Sequence, residues 1–218
     1  HYWMHNGHIN VDNKKMSKSA GNFFTVRDIA REFSPEDVRM FMLSAQYRSP
    51  INFSRDLILQ AKSALDRLYT ARDNAAFALE HAPEREMNDA EKAFVERAKE
   101  AMDRFDDAMC DDLNTSGALG VLFEYIRDMN TVLADANNPC KAVIEEALSA
   151  LKVMAHDILG LLMKDADTTP EEIKALVQAR VEAKKAKNFA EADRIRAEVL
   201  EKGYVIEDTP KGPLVKKA

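Results

Sequence analysis

The 218-residue chain is predicted to be mainly α-helical, with short β-structure confined to its two ends. Three observations carry this: a succession of helix-start signals, apolar residues recurring at three- and four-residue spacing behind each of them, and short apolar runs beside turn residues only near the termini. An apolar content of 46% is ample for a packed core in one or two domains.

The chain opens with two short runs, Tyr2 to Asp12, joined by Asn6-Gly7, the strongest short hairpin signal. A polar loop follows, Lys15-Met16-Ser17-Lys18-Ser19 and then Ala20-Gly21-Asn22. Thr25 can cap a short helix reaching Phe33. Ser34-Pro35-Glu36-Asp37 is a second start, with Ser as N-cap and Pro at the first helical position, and Val38, Phe41, Met42 and Ala45 mark its buried stripe. Tyr47 to Pro50 breaks it. Ser54 starts a long amphipathic helix with Leu57, Ala61, Ala64, Leu65 and Leu68 on one face, ending near His81-Ala82-Pro83.

Asn88-Asp89-Ala90-Glu91 reads as a capping box, opening a helix through Phe94, Ala98, Ala101, Met102 and Phe105 to about Met109. Asp111 to Thr115 interrupts, and Asn114 or Thr115 caps the next helix, whose apolar face is Leu119, Leu122, Phe123, Ile126, Met129 and Val132, stopped by Asn137-Asn138-Pro139. A fourth long helix is predicted from about Lys141 to Met163. Lys164 to Thr168 is a polar linker. Thr169-Pro170-Glu171-Glu172 starts another helix, a further one runs through Ala190 to Arg196, and Gly203 ends it as a C′ residue. Tyr204 to Asp208 and Leu214 to Lys216 form a closing hairpin.

Net charge is −6, which by itself argues against a nucleic-acid partner. Its distribution reverses the argument. Residues 1–72 carry 11 basic and 7 acidic groups, residues 73–172 carry 9 and 23, and residues 173–218 carry 11 and 7, so both ends are basic around an acidic middle. Phosphate binding depends on the local patch, not on the total. The two cysteines, Cys110 and Cys140, have no CxxC partners, which indicates neither a zinc knuckle nor a disulfide framework. Neither a membrane-length apolar run nor a signal-peptide layout occurs, so a cytoplasmic location without membrane association is expected.

The lysine loop is the strongest chemical signal. A lysine is a compact point charge with three donors, and small hydroxyl neighbours plus a glycine let backbone approach a polyphosphate. It is not a Walker A loop, because the glycine follows the lysines and no G-x-x-x-x-G-K-[ST] string occurs. In the tail, Lys184, Lys185 and Lys187 lie beside Phe189, which can stack a base, while Asp193 and Asp208 offer acceptors to base-edge donors. The same lysines also suit an exposed helix end stabilised by its dipole. His1, His5 and His8 lack an acidic or cysteine partner at zinc spacing, so no metal site is assigned to them. Trp3 and Phe23-Phe24 fit core packing better than base stacking.

Lys15-Met16-Ser17-Lys18-Ser19 resembles the KMSKS loop of class I aminoacyl-tRNA synthetases. The whole opening string, Trp3-Met4-His5-Asn6-Gly7, Val11-Asp12, the loop, then Gly21-Asn22-Phe23-Phe24-Thr25, resembles the cysteinyl-tRNA synthetases among them. Ala108-Met109-x-Asp111-Asp112-x-Asn114-Thr115 is similar to that family's DALR-type helical domain, with Cys110 and Leu113 departing from its pattern. Lys187-Asn188-Phe189-Ala190-x-Ala192-Asp193, followed by Glu207-Asp208-Thr209-Pro210-x-Gly212, is similar to its anticodon-binding module, although Pro213-Leu214 stands where the family often has an aromatic ending.

The resemblance implies an arrangement of four parts. Residues 1–24 would end a catalytic domain with hairpin and KMSKS loop, 25–83 form a helical stem-contact region, 84–165 a DALR-type bundle, and 169–218 a small α+β anticodon-binding module. It implies ATP-dependent attachment of cysteine to its tRNA, with Lys18 as principal ATP-phosphate contact, Lys15 assisting, and Met16, Ser17 and Ser19 lining the same loop. It implies RNA contacts at Lys184, Phe189, Asp193 and Asp208, and a monomeric enzyme whose partners are tRNA(Cys), ATP and cysteine. ATP with Mg2+ is the expected cofactor, and the family's Zn2+ ligands are expected outside this chain. By the same resemblance a nucleotide-binding domain with the HIGH motif comes before this loop, and the chain begins at His1, so that half is expected elsewhere and the chain alone is expected to be inactive. Two other readings remain: a relative among the cysteine ligases of mycothiol synthesis, against which the tail from Thr169 speaks, and a stand-alone helical tRNA-binding module.

Overall fold

A computed structural model describes residues 1, 3–19, 21–134, 138–164, 170–186, 188–209 and 212–217. The chain divides into two compact units, His1–Met163 and Lys164–Ala218.

The first unit begins with a three-stranded sheet. β1 (Ile9–Val11) pairs antiparallel with β2 (Lys14–Lys15) on one side and parallel with β3 (Ile51–Phe53) on the other. The hairpin therefore turns at Asp12-Asn13, both with positive φ (48° and 63°), and not at the expected Asn6-Gly7. Two consecutive left-handed residues make the primed turn that suits a two-residue hairpin, and Asp and Asn tolerate that conformation. Gly7 serves another purpose: a Cβ there would lie 2.2 Å from the Ser49 carbonyl oxygen, and its N–H donates to the Tyr47 carbonyl at 2.7 Å. β3 has no counterpart in the sequence reading, because three residues carry too short an alternation to register.

Helices α1 (Val26–Ile29), α2 (Pro35–Leu43) and α3 (Arg55–Glu80) start where predicted, at Thr25, Ser34 and Ser54. Thr25/Asp28 and Ser34/Asp37 form reciprocal capping boxes, each satisfying two otherwise orphaned N–H groups. α1 is shorter than expected. The buried stripe of α2 is Asp37, Met40 and Phe41, while Met42 is exposed. On α3 the stripe starts at Ile58 instead of Leu57 and runs through Ala61, Leu65, Leu68, Ala71, Ala75 and Ala78. An apolar pair of neighbours left that phase ambiguous by one residue.

α4 (Asp89–Cys110), α5 (Thr115–Leu133) and α6 (Lys141–Leu151) complete the bundle, with α4 packing on α5 and α6, and α3 on α2, α5 and α6. Phe94, Phe105, Leu68, Leu122, Met129 and Ile144 are fully buried between them. Met102, Phe123 and Val132, expected on the buried faces, are only partly covered. The stop assigned to Asn137 lies outside the described residues. α6 does not continue as an α-helix to Met163: a π-helix occupies Lys152–Ile158, and Gly160 and Leu162, with φ of 65° and 58°, end it. A Cβ on Gly160 would lie 2.8 Å from a guanidinium nitrogen of Arg39, which donates to the Leu159 carbonyl. That close approach suits glycine in a left-handed conformation.

The second unit is an α-hairpin followed by a β-hairpin. α7 (Glu171–Lys185) and α8 (Phe189–Glu201) pack together, and β4 (Tyr204–Thr209) pairs antiparallel with β5 (Gly212–Lys217). Ile173, Val177, Ile195, Val199 and Ile206 form its small core. Asn188 caps α8, a cap the sequence reading does not single out, and Gly203 (φ 81°) stands just past its C-cap, as expected. The expected start at Thr169, Lys187 of the basic run, and Pro210-Lys211 of the hairpin turn lie outside the described residues.

Candidate functional site

The lysine loop springs from the edge of the sheet. Asn10↔Lys15 and Val11↔Lys14 fix Lys15 in register on β2, and the Asn13 N–H donates to the Asn52 side chain at 2.7 Å, tying the hairpin to β3. Lys15, Lys18 and Ser19 are exposed, whereas Met16 and Ser17 are half-buried against the unit. The Ser17 and Ser19 hydroxyls lie 3.3 Å apart. Lys18 sits over the Phe23 ring, its Nζ 5.5 Å from the centroid. Both loop lysines thus present their ammonium groups on an open surface, where a polyanion can reach them.

Asn22 organises the loop, and sequence reasoning assigned it no role. Its side-chain oxygen accepts the Ser17 N–H at 2.9 Å, and its side-chain nitrogen donates to the Lys15 carbonyl at 3.2 Å. Gly21, at φ 68°, makes the reversal that brings Asn22 back to the loop's start, and its N–H donates to the Lys18 carbonyl at 3.2 Å. The signal was present: a Gly-Asn pair directly after a short polar loop is a turn with a side chain able to bond neighbouring backbone.

The expected burial of Trp3 and Phe23 is not found. Trp3 is 88% exposed and Phe23 lies open beside Lys18, and only Phe24 packs inward, with its ring 4.6 Å from that of Phe53. The reason is local: Trp3 precedes β1 and Phe23 follows the loop, so neither stands on a paired strand face. Among the described residues no group of three or more His, Cys, Asp or Glu side chains is placed to hold a metal ion.

In the second unit the four candidate residues divide into two kinds. Asp208 on β4 is engaged: Arg180, almost fully buried on α7, donates to both of its oxygens at 2.8 and 2.9 Å, and Lys184 Nζ donates at 2.7 Å. The Arg180 guanidinium, aided by Lys184, holds the Asp208 carboxyl far below the usual carboxylate range, so it is ionised at any physiological pH. Phe189, at the start of α8, is 63% exposed, and Asp193 one turn further on is exposed too. Sequence reasoning missed Arg180, whose position on the inner face of an otherwise charged helix gives no hint of a partner 28 residues away.

A lysine loop beside a small sheet, a capped helical bundle and a basic α+β tail describe the parts of a class I tRNA synthetase, and comparison with known proteins agrees. Residues 1–63 match the class I (C) tRNA synthetase catalytic domain, residues 104–163 the DALR domain, and residues 166–213 the cysteinyl-tRNA ligase anticodon binding domain. The cysteine–tRNA ligase of Caldicellulosiruptor saccharolyticus is 47% identical over 99% of this chain and 46% of its own length, and that of Lachnospira eligens is 46% identical over 97% and 44%. The LeuRS of Agrobacterium radiobacter K84, crystallised in a ternary complex with tRNA and LeuAMS, superposes with a TM-score of 0.53 at 19% identity, over 68% of this chain and 20% of that one, a likeness of fold alone. The chain belongs to the cysteine–tRNA ligase family. It spans a little under half the length of the curated relatives it matches.

Proposed function

We propose that this chain supplies the ATP-phosphate loop and the tRNA-binding parts of a monomeric cysteine–tRNA ligase, the class I enzyme that activates cysteine with ATP and transfers it to tRNA(Cys). The observation that carries the catalytic part is the loop of residues 15–22, closed on itself with Lys15 and Lys18 left exposed. Activation joins the cysteine carboxylate to the α-phosphate of ATP and expels pyrophosphate, so negative charge builds on the phosphates in the transition state. Lys18 meets that charge and Lys15 supports it. An electrostatic clamp of this kind contributes several kcal/mol when it strengthens in the transition state. Met16 anchors the loop inward, while Ser17 and Ser19 keep it thin enough to close over ATP and reopen. Mg2+ accompanies the ATP, and the family's Zn2+ is held by side chains outside this chain.

In the tail, exposed Phe189 stacks an anticodon base, Asp193 accepts from a base edge, and Lys184 contributes positive charge toward the backbone. Asp208 acts as a fixed acceptor, already oriented by Arg180. Four parts follow: 1–24 at the end of the catalytic domain, 25–83 toward the tRNA stem, 84–165 as the DALR bundle, and 169–218 as the anticodon module.

The test is Lys18→Ala in the protein made from the complete reading frame. Cysteine-dependent ATP–pyrophosphate exchange should lose kcat by on the order of 100-fold with the KM for cysteine nearly unchanged, because the contact is made chiefly in the transition state. Equal losses in kcat and in cysteine affinity would contradict the role.

A further inference from the structure

We propose that Asn22 is a positioning residue of the lysine loop: it fastens the loop's two ends together and thereby sets where Lys18 stands for the reaction. The inference rests on the phosphate role given to Lys18 above. The geometry is specific. One amide side chain accepts from the Ser17 backbone N–H at 2.9 Å and donates to the Lys15 backbone carbonyl at 3.2 Å, so both faces of the amide are used within a single loop. No aspartate can do this, since a carboxylate has no donor for the Lys15 carbonyl, and no serine spans both contacts.

The surrounding chain makes the clasp possible. Gly21 takes the left-handed conformation that turns the chain back, and a side chain there would meet open space, so the glycine is required by its φ and not by crowding. On the far side, Lys15 is held in register on β2 opposite Asn10. Asn22 therefore joins the loop end that is fixed by the sheet to the end that leads out toward α1. Between them Lys18 and Ser19 are exposed, with the ammonium of Lys18 over the Phe23 ring at 5.5 Å. A cation over an exposed ring is held weakly, so it can leave for a phosphate while the clasp keeps its backbone in place. Without the clasp, Lys18 would keep its charge and lose its address, and the cost of misplacing a catalytic group by about 1 Å reaches 100-fold.

The experiment is a double-mutant cycle in the protein made from the complete reading frame, with Asn22→Ala, Lys18→Ala and both together, read by cysteine-dependent ATP–pyrophosphate exchange. Asn22→Ala should lower kcat by about 10- to 100-fold with the KM for cysteine within about twofold of the parent. The double variant should be no slower than Lys18→Ala alone, because Asn22 acts through Lys18. Costs that multiply in the double variant, or a parental rate for Asn22→Ala beside a crippled Lys18→Ala, would overturn the clasp while leaving the phosphate role standing. An undiminished Lys18→Ala would instead overturn the phosphate role. A second readout needs no activity: in the 218-residue chain, Asn22→Ala should speed tryptic cleavage after Lys15 and Lys18 by about fivefold or more at unchanged Tm, since local opening controls access. Unchanged cleavage would overturn the clasp by itself.

Discussion

Phe189 and Asp208 stand in very different surroundings within one small unit. The Phe189 ring is exposed at a helix start and contributes little to the core, so Phe189→Ala should leave Tm nearly unchanged and weaken tRNA(Cys) binding by about 1–3 kcal/mol, checked by titration with the transcript. Asp208, in contrast, is braced. Its partners are unequal: the Lys184 side chain is 40% exposed, whereas that of Arg180 is 3% exposed with no partner for Nε among the described residues. An exposed pair such as Lys184–Asp208 is worth about 0–1 kcal/mol, and although the Asp208 side chain is itself 54% exposed, Arg180→Ala also removes a long side chain packed inside the unit. Arg180→Ala should therefore lower the Tm of the tail well beyond Lys184→Ala, as thermal unfolding would show. None of this bracing was legible in the sequence, where Lys184 and Asp208 appear as free contact residues. Ion pairs between distant segments leave no periodicity behind.

At the scale of elements, the helix starts were the most legible feature. Ser34/Asp37 and Asn88/Glu91 each place a short polar acceptor three residues before a carboxylate; the box expected at Asn88 closes, and the N-cap expected at Ser34 closes a box as well. Helix ends and strand pairings were less so: the chain just past the π-helix contacts Arg39, and the turn after β1 contacts Asn52 on its parallel partner, residues that no local window contains. The Asn88 box also does more than cap. Glu91, buried at α4, accepts from Arg85 at 2.7 and 2.8 Å and from the N–H groups of Asn88 and Cys140, which stitches the lead-in to α6 onto α4. Arg85 first, and then these N–H groups, hold its carboxyl down at about 2. A depressed carboxyl stabilises the fold above its unfolded pKa near 4.5 and loses that contribution as pH falls toward about 2. Acid titration of unfolding should therefore show a stability loss on the order of 2 kcal/mol between those values that is absent in Glu91→Gln.

Along the whole sequence two basic ends flank an acidic middle, +4, −14 and +4 by residue count over 1–72, 73–172 and 173–218. On the proposed function, this distribution would favour phosphate at the ends over the middle without fixing a sequence preference. No described helix is long and apolar enough to cross a membrane. Lys184→Ala should weaken binding of all RNAs alike and flatten the salt dependence, because it removes a charge and not a base contact.

The central claim, that this chain carries the tRNA-reading part of a cysteine–tRNA ligase, is tested most directly by titrating the 218-residue chain with tRNA(Cys) and with an anticodon-substituted copy at two salt concentrations. The account predicts tighter binding to the native transcript by about tenfold, the cost of one lost base contact, with affinity for both falling as salt rises. Equal affinity for the two transcripts at both salt concentrations, with the chain folded, would contradict it.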